Sequence, residues 1–70
     1  MSERDPRVDP RTGDEIHFAL SEYWRVASLG LGSVCFSIRV GDQWLNSTTR
    51  ITLEQWRDIS RNAEVVHVAD

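Results

Sequence analysis

Cys35 is the only cysteine of the chain, and His17 and His67 are its only histidines. A thiol beside an imidazole is the minimal nucleophile–base pair, and a third group must orient the base. Nothing in the spacing of these three residues brings them together, and no orienting group is signalled. Cys35 therefore reads as a structural strand cysteine and the chain as non-enzymatic. The same three residues are too few for structural zinc, which takes four Cys or His ligands arranged in tight local pairs. The carboxylates are scattered, and none lies in an apolar run that would raise its pKa for acid/base work. Gly30 and Gly32 lack the third glycine, the lysine and the following helix of a phosphate loop, so Leu29 to Ser33 reads as a hairpin connection. No cofactor is implied.

A different set of residues is brought together by strand geometry. Val34, Phe36, Ile38 and Val40 alternate with Cys35, Ser37 and Arg39, which is the pattern of a half-buried strand. Gly41-Asp42 fits a tight two-residue turn, whose flanking residues pair and face the same side. Trp44 must then share the face of Arg39. If Trp24 and Val26 join the apolar side, Tyr23 and Arg25 join Trp44 and Arg39. Rings beside guanidinium groups stack on planar groups and hold anions, and they are enriched at protein interfaces. Tyr23, Arg25, Arg39 and Trp44 are the candidate binding residues. The plainer alternative is a solvated sheet surface on which arginine stems cover a tryptophan.

The elements that position this face follow from the rest of the pattern. Residues 1–13 read as an N-terminal arm with two Asp-Pro-Arg triplets; each proline sets its own φ and pushes the preceding aspartate to extended geometry. The arm is thus extended or turned, and is either a solvated tail or an ordered strap that packs on the domain or reaches a partner. Residues 14–70 form a single small domain. Ile16, Phe18 and Leu20 alternate with His17 and Ala19 as a first strand. Tyr23 to Ser28 make a second, Val34 to Val40 a third, and Gln43 to about Thr48 a fourth. Thr52 with Gln55 is a capping box. Leu53, Trp56, Ile59 or Ser60, and Ala63 form one helical face. Val65 to Val68 close the chain as a strand. The fold class is α+β: a small, mostly antiparallel sheet or SH3-like barrel of four to five strands, with one helix before the last. Phe18, Phe36, Ile38, Leu53, Trp56 and Val66 are the expected core.

Composition narrows the partner classes. Seventy residues bury little core, so a partner chain, including a homodimer, is a reasonable source of added stability. Net charge is −3, and the eight basic residues are all arginine. That balance disfavours nucleic acid without excluding a local basic patch. No apolar run approaches the length of about 18 residues that a membrane span needs. The charged opening lacks the apolar region of a signal peptide, so the expected location is the cytoplasm.

Two stretches carry a family resemblance. Asp5-Pro6-Arg7-Val8-Asp9-Pro10-Arg11-Thr12-Gly13-Asp14 and the late Leu53-Glu54-Gln55-Trp56-Arg57, running to Ala63-Glu64-Val65-Val66, resemble short proteins of bacteriophages and prophages of GC-rich bacteria. Those proteins open with a DPRVDPR-x-GD stretch and close with a tryptophan-bearing helix and an A-E-V strand. Between Leu20 and Asn46 the chain departs from the basic hairpin of that group. The resemblance implies a phage origin and an accessory role, possible counter-defence included, and it transfers no site residue. The expected activity is binding of a host or phage protein, or sequestration of a small anionic ligand. The alternative is a small nucleic-acid-binding regulator that uses Arg25, Arg39 and Arg50 beside Trp44.

Overall fold

The computed structural model describes residues 4–18 and 20–69. The first three residues of the arm, and Ala19, expected on the wet face of the first strand, lie outside them. Five strands run β1 Glu15–His17, β2 Glu22–Gly30, β3 Ser33–Val40, β4 Gln43–Thr52 and β5 Glu64–His67. Helix α1, Leu53–Ile59, and a 3-10 turn, Ser60–Asn62, separate β4 from β5. The strands form one antiparallel sheet in the order β4-β3-β2-β1-β5. This is the expected α+β architecture with the helix before the last strand.

Two tight turns set the meander. Gly32 closes the β2–β3 hairpin at φ 72° and Gly41 the β3–β4 hairpin at φ 63°, a region that a side chain makes costly. The first strand is shorter than its alternation suggests. Leu20 does not extend it: the residue has φ 66° and is 94% exposed. The strand ends because the chain must reverse into β2, and Leu20 takes the left-handed step of that reversal without glycine's freedom. Conversely, β2 and β4 run beyond their expected ends to Gly30 and Thr52. Pairing with β3 supplies ladder bonds that local propensity does not register.

The helix starts as read. Thr52 Oγ1 accepts from Gln55 N at 3.0 Å, and Gln55 Oε1 accepts from Thr52 N at 2.9 Å, a reciprocal capping box. Trp56, Ser60 and Ala63 are buried while Ile59 is exposed, so the inner stripe follows Ser60. The core holds Ile16, Val26, Val34, Phe36, Trp56 and Ala63, with Phe18, Trp24, Ile38, Ile51 and Leu53 packed against it. Trp24 is its aromatic hinge, with ring centroids 4.2 Å from Phe36, 4.4 Å from Phe18 and 5.9 Å from Trp56. Val66 is not a core residue: it is 48% exposed. β5 is an edge strand whose pairing with β1 shifts register between Glu15 and Ile16, and the shift displaces Val66 from the inward series.

The arm is packed on the domain. Its peptide turns at Asp5, whose carbonyl accepts from Val8 N and Asp9 N. Pro6 and Pro10 are buried, while Val8 is exposed. Trp56 Nε1 donates to Pro6 O at 2.9 Å, Ser60 Oγ to Arg7 O at 3.0 Å, and Arg57 Nε to Val8 O at 2.8 Å. Three helix side chains thus satisfy three consecutive arm carbonyls. Asp14, fully buried, anchors the other side by accepting from Arg4, from Arg11 N at 2.7 Å and from Ala69 N at 2.6 Å. Burial pushes the Asp14 carboxyl up, but those bonds and the Arg4 charge outweigh it and leave the pKa below its ordinary value.

Candidate functional site

The sheet has an inner face under α1 and an outer face opposite it. On β2, Trp24 and Val26 point inward, which sends Tyr23 and Arg25 outward; on β3, Phe36 and Ile38 send Ser37 and Arg39 outward. Cross-strand register aligns these residues. His17 pairs with Tyr23, Tyr23 with Arg39, and Arg39 with Trp44, so one row crosses β1, β2, β3 and β4. Arg25 lies in the next row, between Glu15 and Ser37.

The four expected binding residues are in mutual contact. The Arg39 guanidinium carbon sits 4.0 Å from the Tyr23 ring centroid and 5.6 Å from that of Trp44. Arg25 covers the same Trp44 ring diagonally at 4.5 Å. Trp44 thus lies under two cations, and Arg39 bridges two aromatic rings. Such contacts contribute about 0.5–1 kcal/mol each when exposed. Arg39 NH1 also donates to Gly41 O at 2.8 Å, which ties the row to the β3–β4 turn. Arg25 NH2 donates to Glu15 Oε1 at 3.3 Å. Each guanidinium has five N–H donors, and these bonds engage one from each side chain.

His17 belongs to this row and was absent from the sequence-derived set. Its ring stacks on Tyr23 at 4.5 Å with an interplanar angle of 22°, and its Nε2 lies 2.8 Å from Leu20 O. Alternation already places His17 outward; what it lacks is the identity of the neighbouring strand, which is set by register. Cys35 stands further along β3, paired across to Ser28 and Arg50. The Thr48 hydroxyl beside it lowers the thiol pKa, burial opposes, and Ser28 and Arg50 add to the lowering. His17 meets Leu20 and Tyr23 instead, so the structure does not join Cys35 to His17. Among the described residues, no three His, Cys, Asp or Glu side chains converge as a cation site, and no helix is long and apolar enough to cross a membrane.

Among the described residues the surface hollows lie away from the four expected residues, although one of about 230 Å³, lined by His17, Phe18, Asn62 and Glu64, opens at the β1 end of the row. One of about 370 Å³ is lined by Asp5, Arg7, Val8, Arg57 and Arg61 between arm and helix; another of about 260 Å³ is lined by Arg4, Asp5, Pro6, Arg7, Val65 and Val68 beside β5. Tyr23, Arg25, Arg39 and Trp44 line none of these hollows and form a platform. A platform of stacked rings and guanidinium edges suits flat or anionic groups and extended surfaces. No family model, no curated protein and no solved structure matches the chain.

Proposed function

We propose that the protein is a non-catalytic binding protein that engages a host or phage protein partner, or a small anionic ligand, through Tyr23, Arg25, Arg39 and Trp44. The observation that carries this reading is the row of contacts that locks Arg25 and Arg39 against Trp44 and Tyr23 on the face away from the core. The side chains are held in place before any partner arrives, so less rotamer entropy is lost on binding. The resemblance of the two chain ends to short phage proteins supports an accessory role in the host cytoplasm, counter-defence among them. The chain order β4-β3-β2-β1-β5, with a short helix before β5, supports an SH3-like arrangement.

The second reading is a nucleic-acid-binding regulator, favoured by the absence of Asp and Glu from β3 and β4, which carry Arg39 and Arg50. A bait experiment separates the two. Wild-type, Trp44→Ala and Arg39→Lys proteins are immobilised and exposed to host and phage lysates before and after nuclease treatment. A protein retained by the wild type, lost by both variants and indifferent to nuclease supports the first reading. Retention that disappears with nuclease supports the second, and equal retention by all three proteins overturns the assigned face.

A further inference from the structure

The two edges of the sheet are treated differently. Beside β5 lies the arm. Arg7 NH1 donates to Ala63 O at 3.2 Å and Arg4 donates to Ala69 O, the carbonyls just before and beyond β5. Pro6 shares a hollow with Val65 and Val68 of that edge. At the other edge, among the described residues, no strand pairs with the outer side of β4. An open edge presents unpaired N–H and C=O groups to any extended chain, and natural proteins usually blunt such edges with charged side chains, lysine above all, with proline, with bulges or with inward charges. β4, QWLNSTTRIT, has no lysine and no proline, and its one charge, Arg50, faces outward. Its one irregularity is confined to one end: from Trp44 to Thr48 it takes four steps while β3 takes two from Arg39 to Ser37. From Thr48 to Thr52 its pairing is regular.

The register says which groups are free. Counted from the Val40–Gln43 pair that closes the tight turn, alternate residues of β3 turn their backbone to β4, and Phe36 and Val34 are among them. Their partners Thr49 and Ile51 are inside the ladder. Thr48 and Arg50 accordingly turn N–H and C=O to the open side, and their side chains share the outer face with Trp44 and Arg39.

Charge selects the occupant. The chain as a whole carries −3. β3 and β4 contain Arg39 and Arg50 and no carboxylate, Asp42 lying in the turn between them, while Arg25 of β2 is paired with Glu15. A second copy of β4 would bring arginine and no carboxylate to this edge. We infer that the open edge of β4 is the docking line for an extended acidic segment of a partner protein. The segment adds to the sheet as a further strand, sets a carboxylate beside Arg50, and packs a flat or branched side chain on Trp44. Backbone bonds to Thr48 and Arg50 supply register, and the side-chain face supplies selectivity. This inference rests on the reading of the outer face as a binding surface and names its partner class.

The test uses the full chain and a capped peptide of about eight residues, a common strand length, alternating glutamate with valine; its lysine–valine counterpart is the control. Binding is followed by NMR, with amide exchange read at Thr48 and Arg50. Saturable binding of the acidic peptide, with both amides gaining protection, is the expected result. Thr48→Pro removes an outward donor without entering the β3 ladder, and is expected to weaken binding at least about tenfold, equivalent to about one strong backbone contact, while the unfolding midpoint is kept. Arg50→Glu is expected to weaken the acidic peptide similarly and admit the lysine peptide; it decides the matter if Thr48→Pro fails to fold. Absence of saturable binding, protection of amides away from β4, or binding indifferent to both variants overturns strand addition. Sedimentation showing a dimer that Thr48→Pro abolishes assigns the edge to a second copy and overturns it equally. Binding that Trp44→Ala weakens but Thr48→Pro leaves intact keeps the outer face and removes the edge. The reverse pattern keeps the edge and removes the face.

Discussion

Arg39 touches Tyr23, Trp44 and the carbonyl of Gly41, and so ties the outer row to the β3–β4 turn. A lysine keeps its charge but loses the planar fork that stacks on one ring while donating to the turn. Arg39→Lys and Trp44→Ala are therefore expected to weaken partner capture. Unfolding free energy should move by no more than about 1 kcal/mol for Arg39→Lys and about 2 kcal/mol for Trp44→Ala, which removes two exposed cation–ring contacts; a larger loss of stability would show Trp44 to be structural. Leu20 offers a test in the opposite direction. A leucine at φ 66° carries strain of about 1–2 kcal/mol, and asparagine tolerates that region. Leu20→Asn should raise the melting temperature, read by calorimetry, since the leucine side chain is almost wholly in solvent. Asp14 supplies a pH dependence. Its pKa is lowered in the folded chain, so its ionised form favours folding above the unfolded value of about 3.9. That contribution fades as pH falls below that value and through the lower folded one. Urea midpoints measured from neutral pH downward should show the loss, and Asp14→Asn should flatten it while costing about 1–3 kcal/mol near neutrality.

Among the elements, arm and helix are mutually dependent. The helix is seven residues long, too short to persist in water without tertiary contacts. Its side chains spend polar atoms on the arm, Trp56 on Pro6 and Arg57 on Val8, and Ser60 of the following 3-10 turn reaches Arg7. Deleting residues 1–10 would leave the buried Trp56 indole N–H without its acceptor, while the Ser60 hydroxyl would keep Trp56 O at 2.6 Å. The truncated chain should lose α1 ellipticity and cooperative unfolding together. A chain that keeps both would show the arm to be an ornament. Trp56→Phe is the finer probe, since it keeps most of the packing and removes the Pro6 bond; a loss of about 1–3 kcal/mol is expected for the orphaned carbonyl.

For the molecule as a whole, the charge is unevenly laid. The arm and the helix carry five of the eleven acidic residues, β3 and β4 none. An acidic protein with one basic ribbon should bind heparin weakly, because the global charge opposes what the ribbon attracts. Elution from a heparin column well below about 0.15 M salt, near physiological ionic strength, is expected; firm retention above it would move the assignment to nucleic acid. Thin stability is the other whole-molecule property. Phe36→Ala or Trp56→Ala, each costing about 3–5 kcal/mol, should leave much of the population unfolded at room temperature.

Local pattern determined a good deal. The alternation from Val34 to Val40, the Gly41-Asp42 turn and the Thr52–Gln55 cap each depend on residues within a few positions, and the structure has each of them. Because strand alternation has a period of two, the same arithmetic placed Trp44 and Arg39 together. What local pattern does not hold is which strand lies beside which. His17 joins Tyr23, and Glu15 joins Arg25, only because β1 pairs with β2 in one register. Val66 leaves the core because the pairing of β1 with β5 shifts register. The arm reads as charged and proline-broken, with no apolar stripe to bury. Its packing rests on carbonyl oxygens, which every residue possesses and no side-chain pattern marks; only the folded positions of Trp56, Arg57 and Ser60 reveal that they are used.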